Sequence, residues 1–134
     1  MPQQTFPEST RVLVVELDPP VRRTISRMVS RMGAQVTEAS DGPPGLLAVE
    51  EEALHVVLLG SMTMRDHEFL ERMRILRPEL PAIILALSAN TDRGRALSQG
   101  WLDKPFTYAA LLDALLTVVP EARTGSDRGG SRPE

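Results

Sequence analysis

The chain is 134 residues long, about one ordinary domain, with 42% apolar residues, 4% aromatic residues and a net charge of −3. It has no cysteine, which removes disulfides and thiolate metal sites. Its mild acidity argues against nucleic acid as a partner, because phosphate binding wants a basic face, and no apolar run approaches the roughly 20 residues of a membrane span.

Residues 1–10, "MPQQTFPEST", read as a flexible leader. They lack the charged and apolar regions of a signal peptide, so a cytoplasmic location without membrane contact is the expectation. "RVLVVEL" (11–17) is a β-branched apolar run of strand length. Asp18-Pro19-Pro20 stops it, with Asp18 placed to cap a helix whose first turn tolerates proline. Val21, Ile25, Met28, Val29 and Met32 then fall on one helical stripe, which Gly33 ends. The same helix carries Arg22, Arg23, Arg27 and Arg31, as a solvated face or a docking face for an acidic partner.

"AQVTEA" (34–39) predicts a second strand, "SDGPPG" a turn and "LLAVEEE" a second helix. "HVVLL" (55–59) predicts the third strand, which delivers Gly60, Ser61 and Met62 to its carboxyl end. Asp66 is placed to cap a third helix carrying Phe69, Leu70, Met73 and Leu76. Ser61, Thr63 and Asp66 before it are read as loop solvation and capping, or as substitute phosphate acceptors. His55 and His67 lack the exposed helix face of a phosphohistidine carrier. "AIILAL" (82–87) predicts strand four, and "SANTDRGRALSQG" a weak fourth helix spoiled by Gly94. "WLD" (101–103) predicts a short fifth strand and "TYAALLDALLTVV" (107–119) a last helix. Residues 120–134 are polar and Gly/Pro-rich, the composition of a disordered tail. Continuously apolar strands alternating with helices predict an α/β fold, a doubly wound (βα)5 sandwich over a parallel sheet.

Three stretches, "RVLVVELDPPVRRTI", "ASDGPPGL" and "WLDKPF", resemble the response-regulator receiver domain of the chemotaxis CheY type. The resemblance spans residues 11–119 as one receiver-like domain. It implies a flavodoxin-like sheet in the order 2-1-3-4-5, with a site above strands one, three and five, and a fourth helix short or irregular because the chain before strand five is trimmed. The family's strand-one acidic pair would fall on Glu16 and Leu17, with Asp18 next. Its phosphorylated aspartate would fall on Gly60. Its strand-four hydroxyl falls on Ala86 or Ser88, and its Lys-Pro signature on Lys104 and Pro105, which implies a cis peptide bond between them.

Glycine offers no nucleophile, so the site reads as a degenerate acidic pocket of Glu16, Asp18, Lys104 and Pro105. No cofactor or metal is expected; weak Mg²⁺ binding by Glu16 and Asp18 is the other reading. Lys104 is the only lysine among 15 basic residues. It reads as a surface lysine, or as a buried ammonium that pairs with Glu16 or Asp18, since an unpaired buried charge is costly. Trp101 and Tyr108 lie where the family meets its partners, as a contact surface or as local packing. The expectation is a non-enzymatic, stand-alone pseudo-receiver in two-component or phosphorelay signalling, acting by phosphorylation-independent protein interaction. Its partner would be a histidine kinase, another signalling protein or a second copy in a homodimer. The alternatives are a receiver phosphorylated at a substitute residue in the strand-three loop, and a small-ligand module of flavodoxin-like shape.

Overall fold

In the computed structural model, residues 5–86 and 97–119 are described. The chain runs β1 (Arg11–Val15), α1 (Pro19–Arg31), β2 (Gln35–Ala39), α2 (Gly42–Glu51), β3 (Val56–Leu59), α3 (Asp66–Leu76), β4 (Ala82–Ala86), β5 (Gly100–Asp103) and α4 (Tyr108–Val118). The strands form one parallel sheet in the order β2-β1-β3-β4-β5. This is the doubly wound, CheY-like arrangement.

The inner strands β1, β3 and β4 have no polar face because helices cover both sides, whereas the edge strands β2 and β5 carry exposed polar residues such as Gln35, Glu38 and Asp103. Side chains on a strand alternate between faces. Val12 and Val14 of β1 therefore point under α1 and α4, with Ile25, Val29, Leu111 and Leu115. Leu13 and Val15 point the other way, under α2 and α3, with Val49, Phe69, Leu70 and Met73. Burying a side chain of this size is worth about 1.5–3 kcal/mol, so both layers contribute to holding the sheet rigid.

Several local expectations need correction. Residues 5–10 are not loose: Phe6 is 2% exposed in the α1–α4 core, and the Thr5 and Phe6 amides donate to the Met32 carbonyl. One buried aromatic outweighs the loop character of its neighbours. Helix α2 begins inside the supposed turn, at Gly42, because prolines in a first turn cost no hydrogen bond. Asp66 is the first residue of α3 rather than its cap. Asp18 stands at the cap position of α1, but its side chain makes no capping hydrogen bond. Gly33 does end the α1 region, with φ of 101°, a conformation that glycine adopts without steric cost. The expected tail, 120–134, and most of the segment expected to hold a weak fourth helix lie outside the described residues.

Candidate functional site

The carboxyl ends of β1, β3 and β5 converge at the top of the sheet, where α/β folds gather their chemistry. Backbone pairing continues one residue past the strands. The Glu16 amide donates to the Ala39 carbonyl at 3.0 Å, and the Gly60 amide to the Val15 carbonyl at 2.7 Å. The Lys104 amide donates to the Ala86 carbonyl at 2.7 Å. Glu16, Gly60 and Lys104 are thus held by main chain before any side chain is considered.

Glu16 is 1% exposed and is the one buried carboxylate among the described residues. Its Oε1 accepts from the Lys104 ammonium at 3.1 Å and from the Ser61 amide at 3.0 Å. Its Oε2 accepts from the Asp18 amide at 3.1 Å. Burial alone would raise the carboxyl's pKa. The Ser61 and Asp18 amides and the Lys104 ammonium outweigh that and hold it below the usual glutamate value.

The carboxylate also fills the room that a side chain on residue 60 would need. A Cβ built on Gly60 would lie 2.0 Å from Glu16 Oε1 and 3.2 Å from the Val15 carbonyl oxygen. Residue 60 is glycine at a point where its neighbour leaves no space.

Lys104 is half-buried, and of its two candidate partners it pairs with Glu16. The Asp18 carboxylate is on an exposed residue, while the Asp18 amide serves Glu16. The Lys104–Pro105 bond is cis. Ala86 closes β4 beside Asp103, and Ser88, the other candidate for the hydroxyl position, lies outside the described residues. Trp101 on β5 is 43% exposed, and Tyr108 is half-buried against the α1–α4 core with the Arg31 guanidinium 5.3 Å from its ring centre. Arg22 turns inward, donating to the Glu16 carbonyl at 2.7 Å and pairing with Glu38 at 3.3 Å, whereas Arg23, Arg27 and Arg31 are exposed. His55 Nδ1 accepts from the Arg11 amide at 3.0 Å, a structural use.

The sequence reading missed Asp41. Its carboxylate accepts from the Gly42 amide at 2.7 Å and, across the fold, from the Thr63 amide at 2.9 Å and the Thr63 hydroxyl at 2.6 Å. The Thr63 hydroxyl, then the Gly42 amide, hold its pKa below the usual aspartate value. Asp before Gly-Pro-Pro signals a cap. Its reach to the β3–α3 loop has no local signal.

A divalent cation, which the resemblance implies at such a site, does not fit these residues. Mg²⁺ is held through carboxylates plus water. Both oxygens of the one buried carboxylate already accept hydrogen bonds from an ammonium and two amides. Among the described residues no group of three or more His, Cys, Asp or Glu side chains stands ready to bind a metal, and no helix is long and apolar enough to cross a membrane.

No protein-family profile matches the sequence. The chain is 36% identical over 119 residues to the transcriptional activator protein PfeR of Pseudomonas aeruginosa, covering 83% of this chain and 39% of PfeR. It is 30% identical over 129 residues to the response regulator MprA of Mycobacterium sp. strain KMS, covering 92% of this chain and 55% of MprA. The chain therefore spans about half, or less, of these relatives' lengths. In fold it matches a CheY-like receiver domain protein from Methanospirillum hungatei JF-1 with a TM-score of 0.78, at 22% identity, over 88% of this chain and 99% of that one.

Proposed function

This chain folds as a CheY-like response-regulator receiver domain, and from that premise we propose that it signals without phosphoryl transfer, by binding other proteins. The observation that carries the reading is the Glu16 carboxylate lying over Gly60. Aspartyl phosphorylation needs a carboxylate nucleophile, a cation to neutralise the developing oxygen charge and a free ammonium beside it. Gly60 offers no nucleophile. Glu16 already neutralises Lys104, and both of its oxygens are engaged, Oε1 by Lys104 and the Ser61 amide and Oε2 by the Asp18 amide. The Thr63 hydroxyl, a candidate substitute acceptor, is held by Asp41. Without a phosphoryl group on residue 60 to distinguish two states, regulation passes to partner binding.

Incubation with acetyl phosphate and Mg²⁺, followed by intact-mass measurement, tests this. The expected result is an unchanged mass. Addition of a phosphoryl group would overturn the reading, and peptide mapping would then identify the acceptor.

The partner is a protein such as a histidine kinase or another signalling component, and the face we assign to it is centred on Trp101 and Tyr108. A large, part-exposed aromatic on an edge strand has the character of an interface anchor. Trp101→Ala is expected to weaken partner capture by about tenfold while leaving the melting temperature close to that of the parent. Unchanged capture moves the interface elsewhere.

A further inference from the structure

Large apolar side chains reach solvent together on the surface of α2 and α3: Leu47 is 53% exposed, Leu76 40% and Ile75 81%. A lone exposed leucine means little, but such a group marks an interaction face. The two helices approach closely, since a Cβ built on Gly45 of α2 would lie 3.1 Å from the Phe69 ring of α3. Beside that contact lies a hollow of about 300 Å³, in which Leu46 and Met64 are half-buried and Leu47 and Leu76 exposed. The signalling reading uses neither helix surface. The Glu16–Lys104 pair sits at the strand ends, and Trp101 and Tyr108 belong to β5 and α4.

The charges around these apolar side chains are mostly of one sign. Glu50 and Glu51 follow Leu47 by one helical turn, and Glu71 precedes Ile75 by one turn, so carboxylates are the surface neighbours of the apolar groups. All three glutamates are exposed, and Glu50 and Glu51 have no hydrogen-bond or ion-pair partner among the described residues. Arg72 is the cation that lines the hollow, and Glu68, one turn before it, already pairs with it at 3.3 Å. The arginines at the end of α3 are turned to main chain. Arg74 donates to the Leu80 and Leu97 carbonyls, and Arg77 to the Glu52 carbonyl.

We propose that this face binds a basic amphipathic helix of a partner protein. In helix-in-groove recognition, apolar side chains at i, i+3 or i+4 and i+7 enter an apolar groove. On this face they would meet Leu46, Leu47, Met64 and Leu76, while lysines or arginines beside them face Glu50, Glu51 and Glu71. Helices α2 and α3 have 10 and 11 residues, about 15 Å of length, which matches about three turns of a partner helix. Met64 adds a flexible, polarizable thioether that can adapt to the incoming side chain. The glutamates count against other occupants. A second copy docked through the same face would set like charges together, and nucleic acid or an anionic membrane would be repelled. The inference does not rest on the phosphorylation site being silent: the face is on a different part of the molecule and its test reads a different quantity.

The probe is a fluorescein-labelled peptide of leucine and lysine, with its leucines spaced to one helical face, titrated with the full chain and read by fluorescence anisotropy. Saturable binding in the micromolar range is expected. A peptide of the same composition in scrambled order is expected to bind about tenfold more weakly, and one with glutamate in place of lysine not at all. Leu47→Ser with Ile75→Ser leaves every charge in place and is expected to weaken binding of the lysine peptide about tenfold. Glu50→Lys with Glu71→Lys is expected to weaken it by about as much and to admit the glutamate peptide. All four positions are exposed, so circular dichroism and melting temperature should stay close to those of the parent. Trp101→Ala is expected to bind the peptide as the parent does, which separates this face from the one centred on Trp101. The proposal is overturned by a parent that shows no saturable binding, by equal binding of the scrambled peptide, or by binding indifferent to the serine and lysine changes. A parent that sediments as a dimer, and that the serine changes dissociate, also overturns it, because the occupant is then a second copy.

Discussion

At the scale of single residues, Glu16 and Gly60 form one unit. A Cβ on residue 60 would sit 2.0 Å from a carboxylate oxygen, far inside contact distance. Gly60→Ala must therefore displace Glu16 from its bonds to Lys104 and Ser61, or shift the main chain. Overpacking costs about 1–3 kcal/mol, and disturbing a buried charge puts Gly60→Ala near the top of that range. In a Glu16→Ala background the clash is gone, and adding Gly60→Ala is expected to cost less than about 1 kcal/mol more. Urea denaturation of the four proteins checks this; equal costs in both backgrounds would show that Glu16 does not set the identity of residue 60. Lys104→Met leaves the buried carboxylate with two amides and no cation. Its expected cost is about 3 kcal/mol, the lower end for breaking a buried pair, because Lys104 keeps 17% side-chain exposure. Glu16→Gln together with Lys104→Met should cost less than the two single changes summed.

The elements show which features local pattern reveals and which it hides. Strands β1, β3 and β4 were legible as unbroken runs of Val, Leu and Ile, because both faces are covered and nothing asks for alternation. The core stripe of α1 was legible from its spacing, and Ile25, Val29 and Met32 are buried as that spacing requires. The start of α2 was not, since Gly-Pro-Pro reads as a turn until the Asp41 cap is recognised. At the site, a solitary lysine before proline pointed to Lys104, but the choice between Glu16 and Asp18 as its partner depends on which side chain the end of β1 turns inward. The carboxylate over Gly60 depends on the β1–β3 register, which sets Val15 against Leu59, a long-range fact with no trace in either stretch alone. The Asp41–Thr63 tie is equally non-local, and it joins the start of α2 to the loop that carries Ser61. Asp41→Ala is expected to cost about 1 kcal/mol or more, the scale of a lost cap. Thr63→Val should add little in that background, because the two share hydrogen bonds. Hydrogen exchange should show faster opening at Gly42 and Thr63; exchange unchanged there would mean that Asp41 does not couple the loop to the helix.

At the scale of the whole molecule, the buried carboxylate makes stability depend on pH in a direction that can be worked out. Glu16 is held below its ordinary pKa in the folded chain, so the unfolded chain binds its proton more readily. Stability from this group is therefore fully present above the unfolded glutamate value, about 4.3, and drains away as pH falls through the lower folded value. Asp41 is shifted in the same direction and adds to the same acid loss. Removing Glu16's titration isolates its share. Glu16→Gln is expected to be less stable than the parent at neutral pH, because a neutral amide cannot replace the charge that Lys104 faces. As the solution is acidified below the usual carboxylate range, the parent loses that advantage and the gap between the two proteins should narrow. Denaturation curves for both, at neutral pH and in steps down through about pH 3, read the gap directly. A gap that stayed constant would mean that the carboxylate is not held in its charged form by the fold.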